Sequence, residues 1–128
     1  MSFSHQAAEN WIGNGESLSG VQTYTGTGTF SIDENVATAE TDYEIAMVLD
    51  VSETEMIYIH SDKDVTFEVN DNVGGGGSLA LTADKPYLWT SDSYYTDLLA
   101  VDITSIFITN TSGSTARIRV ECVYDATP

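Results

Sequence analysis

Ala116–Tyr124 reads ARIRVECVY, and this stretch decides the fold. Ile118, Val120, Cys122 and Tyr124 fall on one parity, Arg117, Arg119 and Glu121 on the other. Successive side chains of a strand point to opposite faces, so a period of two separates a buried face from a solvated one. The segment therefore reads as a strand with one face in a core.

The same pattern recurs in short runs towards the N-terminus. Residues 43–51 (YEIAMVLDV) put Tyr43, Ile45, Met47, Leu49 and Val51 on one face. Residues 54–60 (TEMIYIH) set Met56, Tyr58 and His60 opposite Ile57 and Ile59. Val65, Phe67 and Val69 alternate with Thr66 and Glu68, and residues 78–82 (SLALT) pair Leu79 with Leu81. Residues 87–90 (YLWT) follow Pro86, and residues 101–109 (VDITSIFIT) end in a mostly apolar stretch. Residues 21–32 (VQTYTGTGTFSI) are rich in Thr, Tyr and Phe, with Gly26 and Gly28 marking a bulge or bend. Turn clusters at 61–64 (SDKD), 70–72 (NDN), 83–86 (ADKP) and 110–113 (NTSG) separate the runs, through local side-chain bonds, positive φ and the fixed φ of proline.

About eight strands at this spacing, without a helical period, predict an all-β antiparallel sandwich, jelly-roll or Greek-key in type, with a small barrel as the alternative. The predicted organisation is one domain over residues 21–128, preceded by an N-terminal arm at residues 1–20, where no sustained period is visible.

Twenty acidic residues against four basic ones give a formal charge of −16 in a chain of 128 residues. That field repels phosphate backbones and anionic membranes, so neither nucleic acid nor membrane is an expected partner. Disorder is disfavoured, because 41% of the residues are apolar and they alternate. A single cysteine leaves no intramolecular disulfide, and no Cys/His set has zinc spacing. No run approaches a membrane-spanning length. The first ten residues lack a basic start and an apolar stretch, so synthesis in the cytoplasm is expected.

The candidate chemical sites are thin. Asp62 and Asp64 flank Lys63, and Asp71 lies between Asn70 and Asn72, but neither cluster matches a calcium loop. Twenty acids always contain pairs at glycosidase spacing, so no pair stands out. His5 falls in the arm, and His60 reads as a partly buried structural residue at a strand end. There is no G-x-S-x-G elbow, and Cys122 among apolar neighbours reads as an inert thiol. The four glycines at 74–77 precede a strand rather than Lys and a helix, so they are a loop tip and not a phosphate cradle. Asn110-Thr-Ser is formally a glycosylation sequon and reads as turn chemistry. No catalytic residue, cofactor or metal is expected.

Two segments carry interaction candidates. Phe3, Trp11 and Ile12 are large apolar residues in a polar arm, of the kind that becomes ordered on docking. Residues 87–99 (YLWTSDSYYTDLL) hold Tyr87, Trp89, Tyr94 and Tyr95, types enriched at interfaces. The alternatives for this second group are completion of the core and stacking on sugars.

From residue 79 to about 124 the order of features resembles the C-terminal half of small head decoration (cement) proteins of tailed bacteriophages. Residues 79–89 (LALTADKPYLW) carry an L-x-A-x-x-P-x-x-W pattern, followed by a Tyr/Asp-rich loop and by residues 101–120 (VDITSIFITNTSGSTARIRV). The resemblance implies a non-enzymatic virion protein on the capsid surface, with the major capsid protein as partner and a homotrimer as the favoured assembly. The rival expectations are a carbohydrate-binding module and a phage tail or baseplate accessory domain.

Overall fold

Each alternating run becomes a strand because its apolar parity has a facing layer to bury against. The computed structural model describes residues 3–13, 16–70, 78–92 and 101–126. One four-stranded sheet has the order β3 (Gly28–Val36), β10 (Ala116–Tyr124), β5 (Thr54–Ser61), β8 (Tyr87–Thr90). The other has the order β4 (Tyr43–Leu49), β9 (Ile103–Thr109), β6 (Val65–Val69), β7 (Ser78–Leu81). All pairs are antiparallel.

The pairs β3–β10, β4–β9, β5–β8 and β6–β7 nest inside one another. The chain thus runs out through β3 to β6 and returns through β7 to β10 as one long antiparallel hairpin. Rolled up, that hairpin places alternate pairs in opposite sheets, and the pairings β10–β5 and β6–β9 join them within each sheet. This is the jelly-roll member of the expected sandwich class. A 3₁₀ turn at Val51–Glu53 is the sole helical element among the described residues.

One core lies between the sheets. Ile118, Val120 and Cys122 of β10 share it with Phe67 and Val69 of β6 and Ile106 and Ile108 of β9, all essentially without solvent exposure. The predicted inward parity of β4 also holds for Ile45, Met47 and Leu49. Tyr43 at its start is exposed, and one extra residue between Ala46 and Leu49 breaks the ladder to β9.

The N-terminal segment departs from its expected boundary. β1 (Phe3–Gly13) pairs with β2 (Glu16–Gly26) along its whole length, from Phe3 opposite Gly26 to Gly13 opposite Glu16. Within the arm predicted over residues 1–20, residues 3–13 are therefore one strand and residues 16–20 part of a second, and residue 21 lies inside β2. Backbone pairing needs no apolar alternation, which is why this hairpin left no period in the sequence. Residues 21–32, read as one run, divide at Thr27 between β2 and β3. A Cβ at Gly26 would collide with the Tyr124 carbonyl, and one at Gly28 with the Tyr124 ring. The two glycines let the chain leave the hairpin and enter the sheet close against the end of β10.

Candidate functional site

Two outward faces remain once the shared core is closed. On the β3–β10–β5–β8 face, register aligns Thr29, Val123, Met56 and Thr90 in one row across the strands. Ser31, Glu121, Tyr58 and Leu88 form the next row, and Asp33, Arg119 and His60 the one after. Tyr24 of β2 is buried on Met56 and Val123 with Leu88 packed beside them, so the hairpin adds a third layer over the first of these rows.

Sequence reasoning missed this small cluster, yet it left a mark. Met56-Ile57 and Cys122-Val123 are apolar doublets, and Leu88 sits between Tyr87 and Trp89. Each breaks the alternation, because a strand covered on both faces has no solvated parity.

The rest of that face is polar. Arg117 donates from Nε to Asp33 Oδ1 at 2.9 Å and from Nη2 to Asp33 Oδ2 at 2.6 Å. That fork holds the Asp33 carboxyl below the ordinary aspartate range, helped by the charges of Arg117 and Arg119, and in turn raises the guanidinium of Arg117. Ser31 Oγ donates to Glu121 Oε1 at 2.7 Å. The rings of Tyr58 and His60 stack with centroids 6.5 Å apart, and His60 Nε2 lies 3.4 Å from Asp84 Oδ1. His60 is half-buried, as its strand position predicted.

The β4–β9–β6–β7 face is of another kind. Phe107, half-buried, sits between Glu44 and Glu68 in the row that ends at Ser78. Ala46, Ser105, Thr66, Thr109 and Ala80 fill the neighbouring positions, and Val48 is 77% exposed. No Lys or Arg stands on this face, since Arg117 and Arg119 are on β10 and Lys63 and Lys85 are in loops.

The predicted interaction residues fall in three groups. Tyr87 and Trp89 take the inward parity of β8, opposite Ile59 and Ile57, and pack half-buried against the core. Phe3, Trp11 and Ile12 stand in β1 opposite Gly26, Leu18 and Ser17, with their side-chain surroundings outside the described residues. Tyr94 and Tyr95 lie outside the described residues altogether.

The acidic candidates tie loops together. Asp62 Oδ1 accepts from the Arg117 N–H at 2.8 Å, and Asp64 Oδ1 from the Ala83 N–H at 2.7 Å. Asp71 is outside the described residues. Asp50 accepts from the hydroxyl and N–H of Ser52, which hold its carboxyl below the usual range and cap the 3₁₀ turn. Among the described residues no group of three His, Cys, Asp or Glu side chains is placed to hold a metal ion.

Asn110 is fully buried. Its Nδ2 donates to the carbonyls of Val36, Ala37 and Ser114, and its Oδ1 accepts from the N–H and hydroxyl of Ser112. The sequon is thus a turn that joins the β3–β4 and β9–β10 loops, as its position between strands predicted, and its amide is buried in the folded chain.

Comparison with known families, with curated proteins and with solved structures finds no match to this chain.

Proposed function

We propose that this chain is a non-enzymatic attachment protein that decorates the outer surface of an icosahedral phage head, with the major capsid protein as its partner. The observation that carries the reading is the hairpin at residues 3–26: a two-stranded element held to an acidic jelly-roll body through Tyr24. Its register sets Trp11 opposite Leu18, six residues beyond His5 in β1. At about 3.3 Å per residue that pair stands roughly 20 Å along the hairpin from the seated end. A body with such an extension can engage two neighbouring subunits at once, and repeated weak contacts across a shell add through effective concentration. The stretch that carries the resemblance folds as β7, β8, β9 and β10, two strands of each sheet. Three-fold self-association would multiply the same effect.

The test is to mix the purified chain with undecorated heads from the same source and count bound copies by sedimentation. Saturation at a fixed copy number per head, lost in a Trp11→Ala variant, is the expected result. No binding to heads, together with retention on a glycan array, would replace this reading with a carbohydrate-binding one.

A further inference from the structure

Four strands end the two sheets: β3 and β8 in one, β4 and β7 in the other. An edge strand exposes a row of unpaired N–H and C=O groups, and proteins blunt such edges with charge, proline, bulges or shortness. β3 carries Asp33 and Glu34, β4 has its ladder interrupted between Ala46 and Leu49, and β8 is preceded directly by Pro86. β7 is different. Its four residues, Ser-Leu-Ala-Leu, contain no charge and no proline, and pair with β6 in unbroken register. Among the described residues, only its shortness protects it.

An open groove of about 280 Å³ runs along this strand, lined by residues 78–82 and by Lys85, Pro86 and Tyr87. Leu79 and Leu81 turn into the core, so Ser78, Ala80 and Thr82 offer small exposed side chains that do not obstruct an approaching backbone. Lys85 is one of four Lys and Arg residues in a chain of formal charge −16, and it is the one charged side chain among the described residues of the groove.

We propose that β7 is a strand-addition site for an extended peptide segment of a partner protein, with an acidic residue of that segment set against Lys85. Every pair in both sheets is antiparallel, and antiparallel pairing is the more stable arrangement per residue, so the incoming strand runs antiparallel to β7. Lys85 follows the C-terminal end of β7, which places the acid at the N-terminal end of the added strand. Main-chain bonds supply the affinity in this mode, and the single cation supplies the selectivity. Four residues of edge make each site weak. The site does not depend on the head-decoration reading, and a failure of either leaves the other standing.

The probe is the capped peptide acetyl-Asp-Val-Thr-Val-Thr-Val-amide, titrated into the isotopically labelled full chain and followed by amide chemical shifts. Saturable shifts at residues 78–82 and Lys85 are expected. Methylation of alternate peptide nitrogens should abolish them on the unaltered protein, since it removes the donors that pair with the edge. Lys85→Glu, an exposed change, should weaken binding about fivefold or more, the size expected for an ion pair lost and then reversed. Three results would each overturn the proposal: no shifts at 78–82 with peptide at about 1 mM, shifts centred elsewhere, or equal binding of the methylated peptide.

Discussion

The two outward faces of the sandwich are built from strands of the same alternation, yet they differ in what the outward parity holds. On the β4–β9–β6–β7 face it holds Ser, Thr, Ala and Glu around one half-buried Phe107. On the β3–β10–β5–β8 face it holds Met56 and Val123 at one level, Tyr58 and Leu88 at the next, and His60, Arg119 and Arg117 beyond. Phe107 and the exposed Val48 are apolar too, so what marks a covering layer is the burial of Met56 and Val123 on a solvent parity. Here the layer is the hairpin, through Tyr24.

The largest expected effect lies where the faces do not differ. Phe67 of one sheet and Ile118 of the other are fully buried in the same core. Phe67→Ala should cost about 3–5 kcal/mol and Ile118→Ala about 2–5 kcal/mol in denaturant unfolding. A clear asymmetry, with one of them near zero, would show that the sheets do not share their core equally.

Next is the link that holds the loops of the two sheets together. Asn110→Ala removes the partner of three carbonyls and of Ser112 in a buried site. Since each buried polar group left unsatisfied is worth about 1–3 kcal/mol, the loss should exceed that of an ordinary surface change several-fold. Equal stability of Asn110→Ala and wild type would mean that the loops are held by the surrounding backbone bonds alone.

The comparison itself is sharpened by Tyr24→Ala against Phe107→Ala. Tyr24 is 4% exposed where the hairpin meets the sheet, whereas Phe107 is half-buried with no layer described above it. The first should cost about 2–3 kcal/mol and the second about 1 kcal/mol or less. Amide exchange separates the mechanisms: Tyr24→Ala should lower protection in β1 and β2 before it does so in β6 or β9. Equal loss across all strands would mean that the hairpin is no separate layer.

The smallest effect concerns the charged rows. Arg117 depresses the Asp33 carboxyl, so the unfolded chain binds a proton there more readily than the folded one. This contribution is fully present above the ordinary aspartate value and fades as the pH falls through the depressed folded one. Asp33→Asn should therefore lower the melting temperature slightly at neutral pH, with the gap closing under acid. Both groups are exposed, so high salt should shrink the gap as well. A gap that is constant with pH would assign the effect to something other than the ion pair.

Much of this structure was legible beforehand, and the pattern of what was not is informative. In β10, Ile118, Val120 and Cys122 lie inside and Arg117 and Arg119 outside, as their parity predicts, whereas Val123 on the outward parity is buried by the hairpin. The hairpin escaped notice because a Ser-, Gly- and Thr-rich pair is held by backbone bonds, which carry no side-chain period. Tyr87 and Trp89 were equally compatible with a core and with an interface, since an aromatic ring suits both. Only register, which sets them opposite Ile59 and Ile57, places them against the core.

By itself, then, the sequence determined which way β4, β6, β7 and β10 face. Parity is a local property of the extended backbone, and Ile, Val and Phe on one side of a strand have one stable direction to turn. The tertiary structure decided everything that depends on neighbours distant in the chain. It set β3 beside β10, with Thr29 Oγ1 donating to the Cys122 carbonyl across 93 residues. It placed the hairpin over Val123 and left β7 as an edge along a groove. Strand order, layering and edges follow from the closure of a core by partners far apart in sequence, and no short window of residues contains that information.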